Sequence, residues 1–407
     1  MNDTAQGVER LIEHLDEFDD IGPRVKGAIR AVPRHLFIPS VALPVPTTPD
    51  SAYIIDRDAD PDAWWDAVYS PHSIVTQLDD GATDIRAKVG GYSSSASAPS
   101  TVADLLQILD TAPGRRVLEI GTGTGWTAAL LSHLVGEENV TSIDVDPVVA
   151  EQAAKNLSAA GVHPHLIVGD GAAGCPERAP FDRVHVTCGV RTVPYAWVEQ
   201  CRPGGEIVLP YCPGFGDNHA LRLVVAPDGT AYGRFLGFAS YMMMRSQRPV
   251  VDRPARGPED KHRSTTRVDP RTIAYAPSGA DLAIASLTGL TSSGSAEPDE
   301  DGELYRMWVS DPDEAYSWAT VAWRPNAEEY EVYQVGRRPL WEEVTDAYFR
   351  WVSWGKPDRD RFGMTVTPDG QQIWLDATPI GEARRMTWPS ASGAGSRFGR
   401  RVPAAVR

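Results

Sequence analysis

The stretch Arg115–Trp126, RRVLEIGTGTGW, decides the fold. Val117, Leu118, Glu119 and Ile120 form a short, mostly apolar run, and Gly121, Gly123 and Gly125 follow it in alternation. Residues 127–135 then place Ala128, Leu130, Leu131 and Leu134 at helical spacing. The pattern predicts a strand, a tight turn and a helix. Glycine in such a turn tolerates positive φ and lets the backbone approach a ligand closely. The first N–H groups of the helix then face whatever lies over the turn. On its own, this spacing fits more than one nucleotide-like ligand.

The chain that follows repeats the unit. An apolar run, Val140 to Ile143, ends at Asp144; a helix is predicted over 147–160; His165 to Val168 leads to Gly169-Asp170-Gly171. Further strands are predicted over 183–187 and 206–209, with a helix near 194–201 between them. Alternation of this kind predicts an α/β, Rossmann-like, doubly wound and mostly parallel sheet that binds its ligand at the carboxyl ends of the strands. Asp144 lies where an acid would hold ribose hydroxyls. Asp146 competes for that role but stands further from the apolar run.

The spacing is G-x-G-x-G with Glu119 just upstream, not the G-x-G-x-x-G of dinucleotide sites. That form suits S-adenosylmethionine, which carries no pyrophosphate. Glu119 would help anchor the methionine ammonium, Asp144 the ribose, and Asp170 the adenine amino group.

Ahead of the glycine turn, residues 4–18 place Val8, Leu11, Ile12, Leu15 and Phe18 on one helical face, and a second helix is predicted over 23–31. Val32-Pro33-Arg34-His35-Leu36-Phe37-Ile38-Pro39 is bracketed by prolines and reads as a fixed extended turn, a clasp onto the next domain. Residues 43–62 and 79–92 read as irregular insertions. The serine run 93–100 reads as a flexible loop before a helix over 101–109; its hydroxyls would cap that helix or face a ligand.

Past the sheet, a hairpin is predicted over 220–244, a linker over 246–268, an α+β C-terminal domain over 269–388, and a disordered basic tail over 389–407. Within that domain, 291–303 reads as a loop, 340–354 as a helix and 362–375 as a hairpin. Its many aromatics read mainly as core.

A chain of 407 residues suggests two domains. Lys+Arg number 39 and Asp+Glu 55, a net charge of −16. That argues against nucleic-acid or anionic-membrane binding as the main activity. No run reaches the ~18 apolar residues of a membrane span. The four cysteines form no C-x-x-C pair and read as reduced thiols of a cytoplasmic protein, with no metal expected.

VPRHLFIP at 32–39, SASAP at 95–99, VLEIGTGTGWTAALL at 117–131, GDG at 169–171, APFDRVHVT at 179–187 and RPGGEIVLP at 202–210 stand in one order over roughly residues 5–245. With them the chain resembles the protein-L-isoaspartate O-methyltransferases. The resemblance implies an S-adenosylmethionine-dependent carboxyl methyltransferase domain over 1–245, with N-terminal helices over 1–40 and S-adenosylhomocysteine as product. It implies Ser97 as the catalytic hydroxyl beside the reacting carboxylate. It also implies Val32, Pro33, Arg34, His35, Phe37, Ser95, Ala98 and Thr187 as substrate-binding positions. The cofactor would take Glu119, Gly121, Thr122, Gly123, Gly125, Asp144, Val145, Gly169, Asp170 and Gly171.

The insertions and the appended C-terminal region resemble actinobacterial relatives encoded with ribosomal peptides such as lanthipeptides and graspetides. That likeness implies methylation of a specific aspartate in a cyclised precursor peptide, by a monomer, to an ester that collapses to aspartimide. General isoaspartyl repair is the alternative. A small-molecule O-methyltransferase and a non-catalytic cofactor-binding module are the remaining readings.

Overall fold

The computed structural model describes residues 4–17, 20–46, 52–248, 261–299 and 302–376, with the backbone of Arg384–Arg385. Phe18, the tail 389–407 and parts of the expected insertion and linker lie outside them.

Two amphipathic helices, α1 (Thr4–Asp16) and α2 (Pro23–Ala31), bury Val8, Leu11, Ile12, Leu15, Val25, Ala28 and Ile29. Residues 34–37 form a 3-10 turn rather than an extended segment. Each flanking proline fixes its own φ and restricts the residue before it, leaving the four residues between free to coil. Next come β1 (Val41–Val45), β2 (Ile55–Asp56), α3 (Pro61–Val68), β3 (Ser73–Leu78) and β4 (Tyr92–Ala96). They build a small sheet of order β2-β1-β3-β4.

The expected insertion 43–62 therefore contributes strand. So does the serine run, because Ser94 is buried in β4 and accepts from the Thr76 hydroxyl at 3.2 Å. Alternation of small hydroxyls satisfied across the pair overrides a composition that looks loop-like. Residues 79–91 remain a loop built around two short 3-10 turns. Helix α4 (Pro99–Leu109) starts without a side-chain cap, so the serines do not serve it.

The main sheet begins with β5 (Val117–Ile120), followed by α5 (Trp126–Val135), β6 (Val140–Asp144), α6 (Pro147–Ala159), β7 (His165–Val168), β8 (Phe181–Val186), α7 (Tyr195–Glu199) and β9 (Cys201–Tyr211). All five strands are parallel, in the order β9-β8-β5-β6-β7. Strand order reverses at β5, and the crevice at its carboxyl end is where a doubly wound sheet takes its ligand. Antiparallel β10 (His219–Val225) and β11 (Ala231–Gly237) extend the sheet.

The C-terminal region does not stand apart. Following β12 (Lys261–Thr266), α8 (Pro270–Ala274), α9 (Ser278–Thr288), β13 (Thr291–Asp299), β14 (Gly302–Ser310), β15 (Trp318–Trp323), β16 (Tyr330–Val335) and α10 (Leu340–Ser353), the hairpin β17 (Phe362–Thr367) and β18 (Gly370–Leu375) returns to the main sheet. There β17 pairs with β11, Ala231 opposite Val366 and Arg234 opposite Gly363. A second sheet has the order β12-β16-β15-β14-β13, so residues expected as linker (261–266) and as loop (291–299) are strands. One core runs from Leu118 and Val184 through Leu221 and Phe235 to Trp341, Trp351 and Phe362. Covering the edge of β11 removes the unpaired groups an edge strand would present. The backbones approach closely at this pairing: a Cβ on Gly363 would meet the Gly233 carbonyl at 2.5 Å.

Arg34 ties the N-terminal layer to the rest. Its side chain is buried, and its two terminal nitrogens donate to the carbonyls of Val68 (2.9 Å), Ser70 (3.3 Å), His72 (2.9 Å), Ala96 (3.3 Å) and Ser97 (2.9 Å). The guanidinium also lies 5.4 Å from the Trp126 ring centroid. Burial draws its pKa down to about 9, still above neutrality, so it remains a cation. Arg34→Ala leaves several buried carbonyls without a donor and should cost about 3 kcal/mol or more of stability. Chemical denaturation checks this, and Arg34→Lys should recover less than half of the loss because an ammonium lacks the planar fork.

Candidate active site

A cavity of about 1230 Å³ opens at the carboxyl end of β5, between the glycine turn, β4, α4 and the segment that follows β11. The glycine turn makes its floor. Gly121, Gly123 and Gly125 have φ of +103°, +55° and +89°. Side chains would strain this backbone, and a Cβ on Gly121 would stand 2.7 Å from the Thr187 hydroxyl. Thr187 donates that hydroxyl to the carbonyls of Gly121 (2.5 Å) and Ile120 (3.0 Å). It lines the cavity, but its donor supports the turn rather than reaching for a substrate.

Asp144, at the end of β6, accepts from the N–H of Gly123 at 2.8 Å and of Asp146 at 2.9 Å. Burial raises its pKa, partly offset by those two donors. Asp146 does different work. It caps α6 through Val148 and Val149 and binds Arg245 at 2.7 Å and Gln77 at 3.0 Å. Burial opposes its ionisation, but the donors from Gln77, Arg245 and the helix N-terminus outweigh it and bring its pKa to about 2. Asp170 lines the cavity and caps the short turn 171–173.

Glu119 lies beneath the wall, fully buried, in register between Ser142 and His185. One carboxyl oxygen takes a hydrogen bond from the Ser142 hydroxyl, whose oxygen is 2.6 Å from that of Thr122. The other oxygen has no partner among the described residues. Burial pushes its pKa up to about 8, with the Ser142 bond acting against that and Asp144 adding to it.

These residues fit S-adenosylmethionine. The strained turn leaves room for close backbone approach, Asp144 presents a half-exposed carboxylate, and Glu119 holds an unpartnered oxygen that an ammonium or its bridging water would satisfy. Of the positions expected to hold cofactor, Gly121, Thr122, Gly123, Asp144, Val145, Asp170 and Gly171 line the cavity, whereas Glu119, Gly125 and Gly169 support it from behind.

The acceptor side is set by β4. Ser95, Ser97 and Ala98 line the cavity, and the Ser95 carbonyl would be 3.4 Å from a Cβ on Gly123, so the two walls nearly touch. The segment 32–37 corrects the expectation drawn from the resemblance, since none of Val32, Pro33, Arg34, His35 or Phe37 is on the cavity wall. Phe37 and Val32 are core, and the Val32 carbonyl accepts from Trp126. His35 bonds the Tyr69 hydroxyl at 2.7 Å and packs on Trp65. Arg34 reaches the site through the Ala96 and Ser97 carbonyls and the Trp126 ring. These side chains face α3 and α5 because the 3-10 turn rotates them away from the cavity.

Sequence reasoning missed the far wall, the segment 236–248. Leu236 and Phe238 are 49% and 55% exposed at the rim, with Tyr92 opposite at 40%. Tyr241, Met242 and Met243 line the interior. Arg245 bonds Asp80 at 3.0 Å as well as Asp146, and Arg248 grips Asp80 with both contacts at 2.9 Å, fastening the 79–91 loop to the segment that makes the far wall. The run YMMMR at 241–245 was the available signal: a polar-tipped aromatic and a cation around flexible apolar residues. Among the described residues no three His, Cys, Asp or Glu side chains could hold a metal, and no helix is long and apolar enough to cross a membrane.

Residues 70–231 match the family described as protein-L-isoaspartate(D-aspartate) O-methyltransferase. The chain is 46% identical to a protein-L-isoaspartate O-methyltransferase of Pyrococcus horikoshii over 135 residues, 33% of this chain and 61% of that relative. It is 33% identical to protein-L-isoaspartate O-methyltransferase 2 of Archaeoglobus fulgidus over 222 residues, 54% of this chain and 83% of that relative. The chain belongs to the protein-L-isoaspartate O-methyltransferase family. A solved structure of a protein of that name superposes with a TM-score of 0.53 at 22% identity, over 91% of this chain and all of the other. That likeness concerns the fold. Because the superposition covers 91% of the chain, the likeness in fold extends past residue 245.

The buried acid supplies a test of the cofactor reading. A carboxyl whose pKa rises on folding from an ordinary ~4.3 to about 8 costs stability as pH climbs through that window. Glu119→Gln should remove that decline between pH 5 and 7.5 in thermal melts without ligand. It should also weaken S-adenosylmethionine about tenfold by calorimetry, the loss of one charge-assisted contact.

Proposed function

We propose that the protein transfers a methyl group from S-adenosylmethionine to the side-chain carboxylate of an aspartyl-derived residue in a peptide or protein, with isoaspartate as the first substrate class. The observation that carries this is the juxtaposition of Ser95 with Gly123: the strand that leads directly to Ser97 lies within contact distance of the cofactor turn, and Arg34 holds the Ser97 carbonyl. When bound, S-adenosylmethionine supplies an electrophilic methyl group. The acceptor carboxylate, with an ordinary pKa near ~4, is ionised at neutral pH and needs no general base. Alignment and exclusion of water are what the protein must provide. Ser97 would hold one carboxylate oxygen and leave the other free. Cys188 lines the same cavity, and burial keeps its thiol protonated, so it does not compete as a nucleophile.

A second reading is methylation of one specific aspartate in a modified ribosomal peptide, ending in aspartimide. It is supported by the exposed apolar residues Tyr92, Leu236 and Phe238 on the cavity lining, which suit a peptide with apolar side chains. The family relatives support isoaspartyl repair more directly.

Methyl transfer to an isoaspartyl test peptide, to its aspartyl isomer and to a cyclised aspartyl peptide separates the two. Selective turnover of the isoaspartyl peptide is the expected result. Turnover confined to the cyclised aspartyl peptide supports tailoring, and transfer to none of the three removes both readings. Ser97→Ala should lower the rate at least tenfold with the affinity for S-adenosylmethionine unchanged.

A further inference from the structure

We propose that the Tyr241 hydroxyl is a second donor that, together with Ser97, holds the acceptor carboxylate; the inference rests on the carboxyl-transfer reading above. Tyr241 lies on the cavity wall, four residues beyond β11. Its segment is clamped to the loop after β8: the Gly189 N–H donates to the Met242 carbonyl at 2.8 Å and the Met244 N–H to the Gly189 carbonyl at 2.9 Å. A Cβ on Gly189 would stand 2.9 Å from the Tyr241 carbonyl, so this approach needs glycine. The backbone that carries the phenol is thereby fixed to the loop after β8.

The Tyr241 oxygen is buried and interacts with the Ser97 side chain, yet among the described residues no hydrogen bond of good geometry closes on it. Buried hydroxyls are nearly always paired, so an orphan aimed into a reaction cavity points to a missing partner. Burial raises its pKa above the usual phenol range. The Ser97 contact acts against this, and Glu119, Asp104 and Cys188 add to it. The group is therefore a permanent donor with no role as a base.

The charges around the cavity point the same way. Among the described residues the guanidinium groups on the wall are Arg245 and Arg248, and both are engaged by Asp80, with Asp146 also on Arg245. The wall then offers an incoming carboxylate neutral hydroxyls, among them Ser97 and Tyr241, whose side chains interact. That suits the reaction. One carboxylate oxygen gives an electron pair to the methyl carbon, and the carbon–sulfur bond breaks with its pair passing to sulfur. The carboxylate becomes a neutral ester, the sulfonium a neutral thioether, and no proton moves. A bound cation would favour the charged reactant over the neutralising transition state. Hydroxyls orient the oxygens without that cost.

Tyr241→Phe removes one oxygen and keeps the ring. With the acceptor peptide that the wild type methylates, kcat should fall ten- to a hundredfold while the Kd for S-adenosylmethionine stays within twofold. The melting temperature should be unchanged or higher, since an unpaired hydroxyl has been removed; a purely structural tyrosine would lower it. Combined with Ser97→Ala, the loss should be smaller than the product of the two single losses, because both act on one carboxylate. A Tyr241→Phe kcat within twofold of an active wild type overturns the inference alone. A wild type that methylates no acceptor peptide overturns the carboxyl-transfer reading and this inference with it.

Discussion

One buried guanidinium holds the two halves of the site in place. Arg34 has no carboxylate partner among its bonds; it is satisfied by five backbone carbonyls drawn from the end of α3, the entry to β3 and the β4–α4 junction. Burying a cation this way is tolerable only because the carbonyl dipoles replace water almost completely. The consequence is geometric. The Ser97 peptide cannot shift without breaking that set, and Ser95 is pressed against Gly123. The acceptor-side strand and the donor-side turn therefore form one rigid unit.

The donor side rests on the reversal of strand order at β5, which opens a crevice that no helix fills. The acids there divide their labour by environment. Asp146 is spent on a helix cap and a rim ion pair. Asp144 remains directed at the cavity. Glu119 is held in the sheet with an unsatisfied oxygen, destabilising until something cationic arrives. The C-terminal region contributes by completing the same sheet: its hairpin covers β11, and the segment leaving β11 carries Tyr241 and the two arginines that fasten the 79–91 loop to it.

What the sequence made legible was local. The glycine turn, the acid after each strand and the helical spacing of α1, α4 and α5 are short-range patterns, and each lies where its periodicity puts it. Ser97 was legible only by resemblance, because serine-rich composition reads as loop; pairing with β3 made residues 92–96 a strand that ends just before Ser97. Val32 to Phe37 were misplaced for the opposite reason. A motif marked the segment, but Arg34 serves the site through backbone carbonyls, and motif position cannot tell a side chain that touches substrate from one that props the wall. The C-terminal hairpin rejoining β11 depends on contacts more than a hundred residues apart, which no local pattern encodes. The far wall at 236–248 has an irregular backbone with no period, and the run YMMMR was its one mark in the sequence.

The central claim is that the acceptor is a carboxylate positioned by hydroxyls opposite the methyl donor. The most direct measurement is the chemical stability of the product's methyl group. With a labelled methyl donor and the methylated peptide isolated at acid pH, the account predicts that mild alkali releases the label as volatile methanol, as a methyl ester requires. A label that stays on the peptide through alkali would mean an ether or amine acceptor and would contradict it.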